Sequence, residues 1–305
     1  MSFQTASAIL RGKWLIEPGY AKLHLPAIAR MLTHKESSAF SFNENHLKPP
    51  PVAQMPGRIS IHATAAASAV FSVTPYTRLD RLPYDSIVMV DVIGPVLKYG
   101  DYCSFGSMEQ ANLLNQLSIN ERVKGIILNI DSPGGQADGT AFLADTINAV
   151  KKIKPVVSII QDGTAASAAM WIAAACQEIY VSQATDSVGS IGAYTTLLDL
   201  SKYYEEMGVK VLEIYAPQST DKNKGYYDAL KGDESLIKED LQFLVADFIK
   251  SVKTSRGQRL KTAGENPFTG KMYRAKEAIA IGLIDGIKPL AGVVKRVEQL
   301  IALRA

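Results

Sequence analysis

Histidine is absent from most of this 305-residue chain. The four histidines lie in the first fifth of the sequence: His24, His34, His46 and His62. A histidine base and a histidine-built metal site are therefore excluded from residues 63–305. Any serine nucleophile in that part of the chain needs a different proton acceptor.

Cysteine is equally scarce. Cys103 and Cys176 are far apart and show no metal-ligand spacing, so we expect neither a disulfide framework nor a metal site. The shortage of cysteine favours a cytoplasmic location over a secreted one. Cys176 ends an apolar run that starts at Trp171, which predicts a buried, reduced thiol.

Charge excess and long hydrophobic runs are missing as well. The net charge of +3, without a block of like charges, favours no nucleic-acid partner. The longest weakly polar stretch, residues 63–73, is about half as long as a membrane span must be. No basic region precedes the short apolar stretch near Met1, so we predict no signal peptide and no membrane span. No phosphate-binding glycine loop is present, and no cofactor is expected.

The chain divides into two regions of different composition. Residues 1–84 include a predicted short strand or turn at 14–18, a helix at 25–32 and a stretch rich in Ser, Asn and Pro at 36–57. The three prolines at 49–51 forbid a helix there. We interpret residues 1–84 as an irregular arm or linker, with a processed propeptide as the alternative. Residues 85–305 form the second predicted domain.

Strand and helix patterns alternate throughout residues 85–305. Apolar, β-branched runs predict strands, and runs with apolar residues every three to four positions predict helices. Such alternation indicates an α/β fold with a mostly parallel sheet covered on both faces. The predicted strands are 87–93, 125–130, 155–160, 178–181, 188–194 and 209–215, and the predicted helices are 108–117, 140–152, 165–176, 198–207 and 233–254.

Ser167 is the candidate nucleophile. It lies after a predicted buried strand, among alanines, at the start of an apolar helix. A serine in the first turn of a helix is more often only a cap. Here the flanking alanines leave room for a substrate chain and offer no competing polar group.

A second candidate is the turn at residues 131–135, Asp-Ser-Pro-Gly-Gly. Adjacent glycines let the backbone approach a ligand and point amides at developing negative charge, as an oxyanion hole requires. An ordinary strand-to-helix turn explains the same residues equally well.

Lysine is the remaining candidate for the base. A lysine amine accepts a proton only when burial or nearby cations lower its pKa from about 10.4. Lys222 and Lys224 follow the predicted strand 209–215, and spacing alone does not show that either is buried.

Together, these motifs resemble those of the signal peptide peptidase A (protease IV) family of serine peptidases. The resemblance covers residues 87–287, about two thirds of the chain. Five motifs carry it in order: the strand ending at Gly94-Pro95, the turn at 131–135, Ala-Ala-Ser at 165–167, Val-Gly-Ser-Ile-Gly at 188–192, and the segment from Tyr273 to Asp285.

The resemblance implies a ClpP/crotonase-like spiral of βαβ units and a Ser-Lys dyad. It makes Ser167 the nucleophile and Lys222 the base, with Lys224 as the alternative. Gly134 or Gly135, with the amide of Ala168, would form the oxyanion hole, while Ser190 would orient the lysine. The segment around Lys222 matches the family pattern loosely, since Thr220 and Asn223 replace the usual glycine and acid. Ala168-Ala169 stands where two glycines often follow the serine.

Cellular members of this family are usually membrane-anchored, and this chain shows no anchor. It therefore looks similar to the members encoded by phages and prophages, which process capsid and scaffold precursors. This similarity implies a homo-oligomeric ring, with active sites that could be shared between neighbours, in the host cytoplasm or the phage prohead. Two alternatives stay open: a crotonase-type acyl-CoA enzyme and a non-catalytic assembly protein on the same scaffold.

Overall fold

A computed structural model describes residues 14–16, 60–62, 69–100, 104–197, 199, 201–261 and 264–304. The predicted helix at 25–32, the segment 36–57 and Cys103 lie outside these ranges. The predicted boundary at residues 84/85 stays a prediction. The described residues also extend the sheet to residues 70–72, which pair in parallel with residues 87–89.

The main sheet is mostly parallel, as the alternating pattern predicted. Its order is β2-β3-β4-β5-β7, and β7 then pairs with β8 along its first half and with β9 along its second half. The strands are β1 (Trp14–Ile16), β2 (Ser60–His62), β3 (Val70–Ser72), β4 (Ser86–Ile93), β5 (Val123–Ser132), β6 (Gly134–Gln136), β7 (Val156–Ala166), β8 (Glu178–Val181), β9 (Ser187–Gly189), β10 (Met272–Arg274) and β11 (Gly286–Ile287).

Helices cover both faces of this sheet, because its central strands are apolar on both sides. The main core lies between the sheet and α1, α2, α3 and α6, and a smaller core lies under α8. The helices are α1 (Ser107–Ile119), α2 (Thr140–Ile153), α3 (Ala168–Ala175), α4 (Ser201–Glu206), α5 (Lys224–Leu230), α6 (Ser235–Arg256), α7 (Ala275–Ala280) and α8 (Leu290–Ala302).

Three predicted elements were wrong in extent or kind. Residues 209–215 form no strand, and every one of them is exposed. Residues 165 and 166 complete strand β7 instead of starting a helix, and of the predicted strand 188–194 only residues 188 and 189 belong to a described strand, β9. Apolar, β-branched runs satisfy a strand pattern whether or not a neighbouring strand is available, and sheet pairing decides the outcome.

An ion pair that the sequence did not predict joins the end of α6 to the C-terminal segment. Arg256 is 1% exposed and binds both carboxylate oxygens of Asp285, at 2.8 and 3.0 Å. Asp285 also accepts the backbone N–H of Ile179. Burial by itself would raise the pKa of Asp285, but the hydrogen bonds and charge of Arg256 outweigh it and hold that pKa below its ordinary value.

Two smaller expectations concern Cys176 and membrane spans. Cys176 is a buried free thiol, as predicted, and burial raises its pKa to about 12. Among the described residues, no helix is both long and apolar enough to cross a membrane.

Candidate active site

Ser167 occupies a sharp corner between a strand and a helix. Strand β7 ends at Ala166 and helix α3 begins at Ala168. Between them Ser167 adopts φ 54° and ψ −115°, a backbone conformation that residues other than glycine rarely adopt. Holding it costs about 1–3 kcal/mol, and such strain concentrates at functional sites.

Backbone hydrogen bonds hold this corner in place. The Ser167 N–H donates to the Gly189 carbonyl at 2.8 Å, and the Ser167 carbonyl accepts the N–H of Trp171 at 3.0 Å. The Ser167 hydroxyl donates a long bond of 3.5 Å to the Gly192 carbonyl. Ser167 is 1% exposed, so the hydroxyl lies in a preformed environment that excludes most water.

Ser190 lies beside this corner. It follows Gly189, which pairs with Ala166, and its own N–H donates to the Lys271 carbonyl at 2.8 Å. Ser190 is 6% exposed and, like Ser167, has a positive φ, of 53°. The structure therefore brings together Ser167 and Ser190, two of the predicted site residues.

The two predicted oxyanion glycines form a short strand, β6, instead of a plain turn. Gly134, with φ 94°, donates its N–H to the Ser132 hydroxyl at 3.2 Å. A Cβ on Gly135 would lie 1.8 Å from the Val96 carbonyl oxygen, so only glycine fits there. Because Ser132 pairs with Ala165, β6 starts close to the Ser167 corner.

The amide of Ala168 is the third predicted donor. Ala168 is the first residue of α3, where backbone N–H groups have no partner within the helix. The positive end of the helix dipole lies at the same point and favours developing negative charge. Thus Ser167, Gly134 and Ala168 surround one corner of the fold.

Carboxylates near the corner bind backbone amides. Asp131 accepts the N–H of Thr164 at 3.1 Å. The buried Asp186, which the sequence reasoning missed, accepts the N–H of Gly163 at 2.9 Å and that of Ser182 at 2.9 Å. These bonds fix the end of β7, and they give the carboxylates a positioning role.

The predicted bases lie in a different setting. Lys222 and Lys224 are both exposed. They end a stretch, residues 205–224, in which only residue 219 is not exposed. The isolated chain therefore does not supply the burial that a neutral lysine base requires.

Comparison with known proteins gives the family. The model of Peptidase family S49 matches residues 148–304, just over half of the chain, and the model of Clp protease matches residues 106–184. The second match agrees with the predicted ClpP-like fold and with the parallel sheet.

Three curated relatives illustrate the range of the family. A Methanocaldococcus jannaschii protein named as a protease, MJ0651, is 31% identical over 196 residues, 62% of this chain and 60% of that protein. An Enterococcus faecium protein named after signal peptide peptidase SppA is 26% identical over 222 residues, 70% of this chain and 63% of that protein. Capsid assembly protease C of Escherichia phage lambda is 30% identical over 177 residues, 56% of this chain and 38% of that protein.

This chain therefore spans less than two thirds of the length of each of these relatives. The matched region nevertheless contains Ser167, Ser190 and both candidate lysines. The family match also agrees with the motifs from which the resemblance was inferred. On these findings, the chain belongs to peptidase family S49.

Proposed function

We propose that the protein is a serine endopeptidase in which Ser167 is the nucleophile. The observation that carries this proposal is the strained, buried corner at φ 54° and ψ −115°, held by the Gly189 carbonyl. A strand-to-helix turn of this kind presents a serine hydroxyl at the edge of a sheet, as in other hydrolases that use a nucleophile elbow. The S49 match supplies the reaction class.

The reaction proceeds through an acyl-enzyme. The Ser167 oxygen attacks the scissile carbonyl while a neutral lysine amine takes the hydroxyl proton. The lysine then gives this proton to the leaving amine as the peptide C–N bond breaks. Water next attacks the ester, the lysine takes its proton, and the carboxylic acid leaves as Ser167 regains a proton. No cofactor enters this sequence of steps.

The negative oxygen of each tetrahedral intermediate lies against backbone amides. The Ala168 N–H at the start of α3 is one donor. The Gly134 N–H is the second donor. It donates a 3.2 Å bond to the neutral Ser132 hydroxyl. A bond to a charged oxygen is stronger, so this N–H exchanges the hydroxyl for the oxyanion. Each such donor contributes about a hundredfold or more to the rate.

We assign the base to Lys222 of a neighbouring copy of the chain. The stretch before Lys222 exposes apolar side chains, with Leu212 71% and Ile214 92% exposed. Covering this stretch by a second copy removes apolar surface from water and buries the nearby lysine. Burial lowers the pKa of a lysine amine, which is the condition for its role as a base.

Ser167→Ala tests the nucleophile, with Ser158→Ala as the matched control. Ser158 is also a buried serine on β7, but it lies outside the corner. We expect wild type and Ser158→Ala to hydrolyse casein and to react with a fluorophosphonate, and Ser167→Ala to do neither while keeping its circular dichroism spectrum. Equal hydrolysis by Ser167→Ala would disprove the proposal.

Mixing two inactive variants tests the shared site. If Ser167 and Lys222 of one site come from different copies, a mixed ring of Ser167→Ala and Lys222→Ala chains contains about one quarter intact sites. We expect activity to return when the two variants are unfolded together and refolded. If activity stays at the level of the separate variants, the lysine does not come from a neighbour.

We further propose phage capsid or scaffold precursors as substrates, in the host cytoplasm or the prohead. The similarity to the lambda capsid assembly protease supports this substrate class. The test is incubation with a phage capsid precursor and with casein, followed by mass spectrometry of the fragments. We expect cuts at a few defined positions in the precursor. Random cuts in both proteins would argue against capsid or scaffold precursors as the substrate class.

One observation favours a second candidate, a non-catalytic assembly protein on the peptidase scaffold. Both candidate lysines are exposed in the single chain. This candidate predicts that no mixture of variants and no assembled form hydrolyses peptide bonds or reacts with a fluorophosphonate.

A further inference from the structure

The short strand β6 has two edges, and each has a partner. On one edge the N–H of Val96 donates to the Gly134 carbonyl at 2.8 Å, and the N–H of Gln136 donates to the Val96 carbonyl at 2.8 Å. On the other edge lies β1, residues 14–16 of the same chain, which pairs antiparallel with Leu15 opposite Gly135. The chain thus places a segment of its own N-terminal region on β6.

The alternation of a strand determines which atoms face β1. Successive residues point their N–H and C=O groups to opposite edges. Since Gly134 and Gln136 use their carbonyl and amide toward Val96, the N–H and C=O of Gly135 face β1. In an antiparallel pair, a residue opposite such a position exchanges two hydrogen bonds with it, so Leu15 and Gly135 form the hydrogen-bonded pair.

The direction of β1 matters for catalysis. Ile16 lies opposite Gly134, at the end of β6 nearest to Ser167, and Trp14 lies opposite Gln136, farther away. The chain in β1 therefore runs toward the Ser167 corner. A substrate on this edge in the same direction would place the residues before its scissile bond along β6 and its carbonyl carbon next to the serine.

We propose that residues 14–16 are a built-in competitor for the substrate strand on the β6 edge. This inference rests on the proposed peptidase function, which makes β6 part of the substrate site. An added strand binds chiefly through main-chain hydrogen bonds, which suits a protease that must accept varied sequences. Substrate binds only in the fraction of molecules in which β1 has left.

Two proline substitutions separate the loss of β1–β6 pairing from the other effects of introducing a proline into β1. Leu15→Pro removes the N–H that faces Gly135, whereas Ile16→Pro removes an N–H that the same alternation points away from β6. Both variants keep the full chain, and each adds one proline side chain to β1. In a Ser167→Ala background, self-cleavage cannot complicate the measurement.

The first measurement is the binding of a fluorescent peptide with the sequence of residues 10–20, monitored by fluorescence anisotropy. We expect Ser167→Ala/Leu15→Pro to bind it about tenfold more tightly than Ser167→Ala or Ser167→Ala/Ile16→Pro, the effect of losing one net backbone hydrogen bond. The same peptide carrying proline at position 15 should not bind. Equal affinity for all three proteins, or no binding to any, would overturn the inference.

The second measurement is casein hydrolysis with Ser167 intact. Leu15→Pro should raise kcat/KM about tenfold over wild type, and Ile16→Pro should not. Equal rates in all three proteins would contradict the competitor role while leaving the peptidase function intact. Absence of hydrolysis and of fluorophosphonate labelling in every variant would instead contradict the peptidase function, and the peptide titration would still decide whether β6 binds a strand.

Discussion

The two halves of the proposed catalytic pair lie in opposite physical settings. Ser167 is buried in a corner to which two strands and a helix contribute backbone hydrogen bonds. Lys222 follows an exposed segment without regular structure, residues 207–215, which we call the apolar segment. Under the proposed mechanism, one chain supplies the serine side of the site, and the lysine side needs a neighbour.

If the proposal of a shared site holds, this difference keeps the peptidase inactive before assembly. A preorganised nucleophile and oxyanion hole cost stability that a large apolar core offsets. The base needs only burial, and a neighbouring copy can supply it. The proposal therefore makes activity dependent on self-association, and each of the following predictions tests one side of the comparison.

Lys222→Ala has the largest expected effect. Loss of the general base should lower kcat/KM for casein about a thousandfold. Lys224→Ala, two residues away and equally exposed, should change it less than about threefold, because a surface lysine outside the site contributes little. If Lys224→Ala shows the larger loss of kcat/KM, the base is Lys224. The contrast between a buried serine and an exposed lysine then still holds, with Lys224 in place of Lys222.

Arg256→Met tests the stability of the region that contains the serine. Removing the buried Arg256 leaves Asp285 with the more exposed Arg259, at 3.2 Å, as its ionic partner, and should lower the free energy of unfolding by about 3 kcal/mol. Lys238→Ala, which removes an exposed ion pair with Glu234, should leave the urea midpoint unchanged. Equal effects of the two substitutions would contradict the importance of the buried pair.

The same pair gives a pH dependence with a defined sign. The pKa of Asp285 is lowered in the folded state, so its stabilising contribution is full above the unfolded value of about 3.9 and is lost as pH falls through the folded value. In Arg256→Met the partly buried Asp285 carboxylate keeps Arg259 but loses its two bonds to Arg256, and protonation relieves that cost. The stability difference between wild type and variant should therefore shrink as pH falls below about 4, as urea unfolding at several pH values would show.

Gly135→Ala tests the oxyanion side of the corner. Its Cβ would lie 1.8 Å from the Val96 carbonyl oxygen, so β6 must shift, and kcat should fall about a hundredfold. Gly264→Ala is the control, because nothing lies within 4 Å of its Cβ. A fully active Gly135→Ala enzyme would show that the site does not depend on β6.

Ile214→Ser has the smallest expected effect and acts only on the apolar segment. Ile214 is 92% exposed, so its replacement should leave the melting temperature of the isolated chain unchanged. Self-association, measured by sedimentation velocity, should weaken. Casein hydrolysis should fall about tenfold at low protein concentration. Ile119→Ser, at a site 80% exposed on α1, should change neither quantity.

Much of the fold could be predicted because its strands are apolar on both faces. The predicted strands 87–93, 125–130, 155–160 and 178–181 are all present, with bounds that differ by a few residues where pairing extends them. The prediction at 209–215 was wrong because an apolar, β-branched run forms a strand only where another strand pairs with it, and no described strand pairs with these residues. The Arg256–Asp285 pair left no local signal, since its members are 29 residues apart.

By itself, the sequence determined that residues 63–305 contain no histidine to serve as a base, and its ordered motifs indicated Ser167 and the family to which the chain belongs. Only the tertiary structure decided that Ser167 has a strained backbone, that β6 carries the chain's own residues 14–16, and that Lys222 is exposed. The physical reason is that motifs record local chemistry, whereas backbone strain, strand pairing and burial arise from contacts between segments far apart in the chain.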